Sequence, residues 1–213
     1  MIYIIKKIYT GILLLSSITL AAQKNGEEEL YRILGQIRNL EAQFTQRTFD
    51  QHQDVISEGS GNFQYKRPNL VRWITHDPME QHIVINGQKV WVYDPDLRQV
   101  LIDNFSAEIA TSPLFILLST NGNLGTLYSI QRSFNHKKNS TFKLNAKTPD
   151  ESIREIEISF MAGNLTSLSI RTYDQVSNFF FSKQKVNSMI DTSVFSFEIP
   201  ADTDVIDRTV LPE

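Results

Sequence analysis

The residues of this chain best suited to chemistry are the carboxylates Glu80, Asp94, Asp96 and Asp103, the histidines His52, His76, His82 and His136, and the arginine of Lys66-Arg67-Pro68. Paired carboxylates could share acid and base work, and histidines at fixed spacing could hold a metal. Neither arrangement is written here. Asp94-Pro95-Asp96 stands between two apolar runs, where an Asp-Pro pair initiates a turn. The histidines lack metal-ligand spacing, and neither His-Glu-x-x-His nor Gly-x-Ser-x-Gly occurs. A phosphate-cradling Gly-x-x-x-x-Gly-Lys-Ser/Thr loop is also missing from the sequence. The expectation is a protein that is not an enzyme and needs no cofactor or metal. Arg67 differs, because a guanidinium offers a fork of donors that can bond several carbonyls at a helix or loop end. The residues alone leave two readings open for it, a latch or a solvated arginine at a strand end.

The surroundings of these residues set the compartment. Lys6 and Lys7 precede an apolar run from Ile8 to Leu20, and Thr19-Leu20-Ala21-Ala22 offers small residues at a cleavage point. This layout predicts a secretory signal peptide over 1–22, too short and too polar for the ~20 residues that span a bilayer. Residues 23–213 then form a single domain, large enough to build its own core. The chain has no cysteine, so it holds no disulfide and no site for a lipid-bearing cysteine after the leader. A net charge of −3 gives no pull toward nucleic acid.

Leu30, Ile33, Leu34, Ile37, Leu40 and Phe44 recur at three- and four-residue spacing and predict one long amphipathic helix, with Asn25 as N-cap. From Thr45 onward, short β-branched and aromatic runs alternate with turn residues, the pattern of consecutive antiparallel strands. Strands are expected at 46–49, 61–65, 71–75, 82–86, 90–93 and 99–103. A second set is expected at 128–134, 141–145, 153–160, 165–172, 178–186 and 195–197. About twelve strands exceed what a flat twisted sheet holds comfortably, so the sheet should curl toward a barrel.

Between the two sets, Ser112 as N-cap and Pro113 at the first helical position open a short helix, with a weaker helical signal at 124–128. Leu114 to Leu118 are all large and apolar, so the first helix is greasy all round and must be a plug, a lid or a partner site. Phe179-Phe180-Phe181 places rings on both faces of a strand, either as cavity lining with packing behind it or as a plain two-sided core.

Several spaced motifs together carry a family resemblance. Phe44-Thr45-Gln46, Gly59-Ser60-Gly61-Asn62-Phe63, Lys66-Arg67-Pro68-Asn69-Leu70-Val71-Arg72-Trp73, Ile85-Asn86-Gly87 through Asp94-Pro95, Ser112-Pro113-Leu114-Phe115 and Phe195-Ser196-Phe197-Glu198-Ile199-Pro200 occur in order. The chain resembles the outer-membrane lipoprotein carrier (LolA) family over nearly all of its predicted mature length. The resemblance implies a mainly antiparallel β (α+β) fold, a half-open β-barrel with an N-terminal amphipathic helix and a short helical lid. It implies a monomeric periplasmic carrier whose apolar cavity shelters the acyl chains of lipoproteins. Cargo would come from an inner-membrane lipoprotein-releasing ABC transporter and pass to an outer-membrane lipoprotein acceptor.

On this resemblance Arg67 is the lid latch, and Val71, Trp73, Leu114, Phe115, Leu117 and Leu118 form the lipid-binding cavity and lid. Val71 stands where the family often has a larger apolar residue, and Asp202 where a Gly commonly follows, so the path of 203–213 is left open. The resemblance implies a bacterial protein, in which the sequons at Asn139 and Asn164 would be chance matches. A lipocalin-like carrier of a free hydrophobic molecule is the main alternative. It fits less well, because the long helix precedes the strands and the Gly-x-Trp opening is missing.

Overall fold

The computed structural model describes residues 26–105, 124–135, 139–148 and 152–209. Helix α1 reaches residue 36, its described part beginning at 26. It buries Leu30, Ile33 and Leu34, with Ile37 just beyond its end. Leu40 and Phe44, expected to continue its face, lie instead in β1 (Asn39–Asp50). The two spacings are ambiguous at this point, since residues 40 and 44 also share one face of a strand. Pairing on both sides, with β2 (Val55–Lys66) and β11 (Gln175–Val186), resolves them as strand, with Leu40, Ala42 and Phe44 inward.

The remaining elements are β3 (Leu70–Asp77), β4 (Gln81–Asn86), β5 (Lys89–Asp94), β6 (Gln99–Asn104), the short helix α2 (Leu124–Leu127), β7 (Tyr128–Asn135), β8 (Asn139–Ala146), β9 (Glu155–Met161), β10 (Asn164–Arg171) and β12 (Asp204–Asp207). They form one sheet in the order β12-β6-β5-β4-β3-β2-β1-β11-β10-β9-β8-β7. Every neighbouring pair is antiparallel except β12 with β6. In that order β12 and β7 stand at opposite ends, so the sheet is open, and α1 lies across one face.

At its N-terminal side α1 approaches β7, where a Cβ on Gly26 would stand 3.0 Å from the Arg132 backbone nitrogen. The Tyr31 hydroxyl accepts from the Gly125 N–H of α2 at 3.2 Å. At its other end α1 meets the β2–β3 turn, as described below. The helix therefore bridges distant parts of the sheet.

The expected last strand at 195–197 is not one. Asp191 accepts from the Ser193 N–H at 3.0 Å and starts a 3-10 turn, Thr192–Phe195, that buries Phe195. The segment crosses the sheet face opposite α1. Arg72 donates to the Val194 carbonyl at 3.0 Å, and Phe197 packs beside Trp91 and Tyr93. Asp202 then adopts a φ of 59°, the left-handed conformation that Gly takes freely and Asp tolerates. Beyond it the chain joins β6 as the parallel edge strand β12. A glycine, which the resemblance implies at this position, would serve the same backbone conformation that Asp202 adopts.

Candidate functional site: the apolar face beneath α1

Inward-facing residues from β1, β2, β3 and β11 place five aromatic rings together. Phe44 stacks on Trp73 with centroids 4.0 Å apart, Phe63 and Phe179 flank the pair at 5.4 to 6.2 Å, and Phe181 lies 6.4 Å from Phe63. Gly61 makes room for this stack. A Cβ there would lie 2.6 Å from the Phe44 ring and 2.0 Å from the Ile74 carbonyl oxygen. Val71 and Trp73 are both buried in this same core, as the period-two reading of β3 required. The three-phenylalanine run resolves differently from either expectation. Phe179 and Phe181 face the core, whereas Phe180 is 53% exposed on the other side.

Arg67 sits in the turn after β2, at the C-terminal end of α1. Its Nε donates to the Ile37 carbonyl at 2.8 Å and its Nη2 to the Leu34 carbonyl at 2.6 Å. These carbonyls belong to the last turn of the helix and to the residue just past it, where i+4 donors run out; the Leu34 carbonyl also accepts from the Ile37 N–H at 3.1 Å. The cation also sits at the negative end of the helix dipole. Asn187 completes the clasp from the β11 side. Its Nδ2 donates to the Gln36 carbonyl at 2.8 Å, and its Oδ1 accepts from the Arg38 N–H at 2.7 Å. Sequence reasoning missed Asn187; its only signal was an Asn just after a long strand, a residue suited to the positive φ of 56° it adopts.

Between the end of α1 and the sheet, Leu34, Ile37, Leu40, Phe63, Tyr65, Phe160 and Leu165 line an apolar gap of about 10 Å³. That is room for about one water, so this part of the face is filled by the protein's own side chains. Tyr65, also missed in the sequence, is 2% exposed, and burial pushes its phenol up to about 12 despite the nearby Arg67 charge. Leu114, Phe115, Leu117 and Leu118 lie outside the described residues.

Most of the other candidates for chemistry are occupied locally, and His136 lies outside the described residues. Asp94 accepts from the Leu97 N–H at 3.0 Å within its turn, and Asp103 accepts from Asn104. Glu80 meets His82 at 2.7 Å, His76 meets Asn62 at 2.6 Å, and His52 meets Asp50 at 3.4 Å. Among the described residues no three His, Asp or Glu side chains gather as metal ligands. Among them, too, no helix is long and apolar enough to cross a membrane.

Comparison with known proteins fits this arrangement. The profile of the family "Outer membrane lipoprotein carrier protein LolA" matches residues 35–198. An outer-membrane lipoprotein carrier protein of Hahella chejuensis is 33% identical over 194 residues, covering 90% of this chain and 93% of that one. One from Francisella philomiragia is 37% identical over 190 residues, covering 87% and 90%. In three dimensions, an uncharacterized conserved protein from Thermus thermophilus aligns with a TM-score of 0.52 at 12% identity, covering 83% of this chain and 98% of that one. The last similarity speaks for the fold alone. The family match reaches from the clasped end of α1 across the aromatic core to the Phe195–Glu198 segment, and on that evidence this chain belongs to the outer-membrane lipoprotein carrier family, LolA.

Proposed function

We propose that this chain is a soluble, monomeric periplasmic carrier that shields the acyl chains of lipoproteins between an inner-membrane ABC transporter and an outer-membrane acceptor. The observation that carries the reading is an apolar sheet face covered by a helix whose end is held by side-chain hydrogen bonds. A cover attached in this way can part from the core without breaking strand pairing. Helix α1, with Leu114, Phe115, Leu117 and Leu118 as lid, is the part that yields to cargo.

The energetics support a reversible carrier. Each acyl methylene moved out of water gains about 0.8 kcal/mol, so an open apolar cavity would hold several long chains too tightly to release them. A cavity filled by its own side chains must expel them first, which offsets much of the gain. Handover then becomes nearly balanced. For the same reason the protein cannot strip cargo from a bilayer unaided, since membrane and cavity are similar apolar environments. Arg67 acts here as the latch of the closed form.

The test uses inner-membrane vesicles bearing a lipoprotein. The purified protein should release it only when the transporter and ATP are both present. Efficient extraction without them would overturn the mechanism, and recovery of a free small molecule in place of acylated protein would favour a lipocalin-like carrier.

A further inference from the structure

Tyr65 lines the apolar gap between the end of α1 and the sheet, and its buried hydroxyl has no hydrogen-bond partner among the described residues. Such a group is costly. A buried phenol oxygen without a partner forfeits the hydrogen bonds it makes to water, and phenylalanine would fill the same space without that loss. Its neighbours in the gap, Leu34, Ile37, Leu40, Phe63, Phe160 and Leu165, offer no side-chain acceptor. The gap is shut on the α1 side by the helix end that Arg67 and Asn187 clasp. Lifting that end would open the gap that the Tyr65 side chain lines.

An apolar cleft with a single donor fits a ligand that is hydrocarbon on all sides except for one acceptor. We propose that Tyr65 is a ligand-binding residue whose hydroxyl donates to the ester carbonyl of a glyceride-linked acyl chain. This deepens the carrier reading and rests on it. A neutral acyl ester suits the site better than a carboxylate or phosphate. A bare charge in this gap would be desolvated, and the nearest cation, Arg67, already spends donors on the helix carbonyls. The hydroxyl sets the depth of the chain, placing its ester at the level of Tyr65 and its methylenes against Phe63, Phe160 and Leu165.

The experiment compares the full chain with Tyr65→Phe, using two synthetic lipopeptides that differ only in linkage, an S-diacylglyceryl cysteine peptide and its dialkyl ether counterpart. An ether oxygen is a weaker acceptor, so the wild-type protein should bind the ester about five-fold tighter, the difference expected for one neutral hydrogen bond. Tyr65→Phe should bind both alike, near the wild-type affinity for the ether, with an unchanged or raised melting temperature. A phosphatidylglycerol carrying the same chains, run beside its own ether analogue, distinguishes a lipopeptide from a membrane lipid as the source of the ester; a preference for the ester in either pair supports the assignment. Equal binding of ester and ether by the wild type overturns it while leaving the carrier reading intact. So does a melting temperature lowered by Tyr65→Phe with no change in preference, which would mean that the hydroxyl serves an internal water. Binding of none of the lipids would overturn both.

Discussion

Replacing Arg67 with leucine tests the clasp directly. Leucine keeps an apolar side chain in the turn after β2 but removes the donors to Leu34 and Ile37. Hydrogen bonds from a charged donor are worth ~1.5–3 kcal/mol each, and the low end applies because the site is only part-buried. Two such bonds give about 3 kcal/mol, of which water reaching the freed carbonyls returns roughly half. The net of about 1.5 kcal/mol multiplies the ratio of parted to closed helix end roughly tenfold. Amide exchange over residues 30–38 reads this opening, with the amides of β1 and β11 as internal reference. Exchange at the helix end should accelerate about tenfold while the central strands change little. Arg67→Lys should fall between, since one ammonium keeps the charge at the helix end but lacks the fork. The same leucine variant should bind more of an apolar dye, hold cargo, and transfer it poorly to acceptor membranes. The reasoning fails if residues 30–38 exchange at the wild-type rate, or if all amides accelerate together, because Arg67 would then be an ordinary structural residue.

Gly61→Ala should cost about 3 kcal/mol in urea unfolding, because the new methyl meets a backbone carbonyl and the Phe44 ring at once; a cost below ~1 kcal/mol would show that the aromatic stack is free to shift. For Asp191, the bonds from Ser193 hold the carboxyl below its ordinary 3.8, so its contribution is present at neutral pH and is lost as pH falls through that lowered value. Protection of the Ser193 amide, relative to its intrinsic exchange rate, should therefore fall as pH drops through that lowered value, and Asp191→Asn should remove this acid step while preserving the turn at pH 7; an acid step that persists in the variant would assign the loosening to another group.

The sequence by itself determined the fold class and the family. Period-two alternation, with turns such as Asn86-Gly87 and Asp94-Pro95, located nearly every strand, because half-buried strands in hairpins are specified by their neighbours in sequence. It also carried a weak signal at 124–128 for the short helix found at Leu124–Leu127 and assigned Val71 and Trp73 to the interior. Three features needed the tertiary structure. The boundary between α1 and β1 was ambiguous because residues 40 and 44 satisfy both periodicities, and only pairing with β2 and β11 decides between them. The segment at 195–197 has strand-like composition, but the Asp191 cap and the opposite sheet face make it a turn, and the chain then finds its last partner in β6, about a hundred residues earlier.

The clasp and the unpartnered hydroxyl are decided at the same level. Arg67 announced itself by its motif, but a sequence cannot say which carbonyls a guanidinium will reach. Asn187 and Tyr65 carried no comparable signal. Their roles arise because β2 and β11 flank β1, which brings residues 67 and 187 to the same helix end and sets Tyr65 beneath it. Alternation is a local property that neighbouring residues impose on one another, whereas the meeting of three distant side chains depends on the order in which the strands assemble.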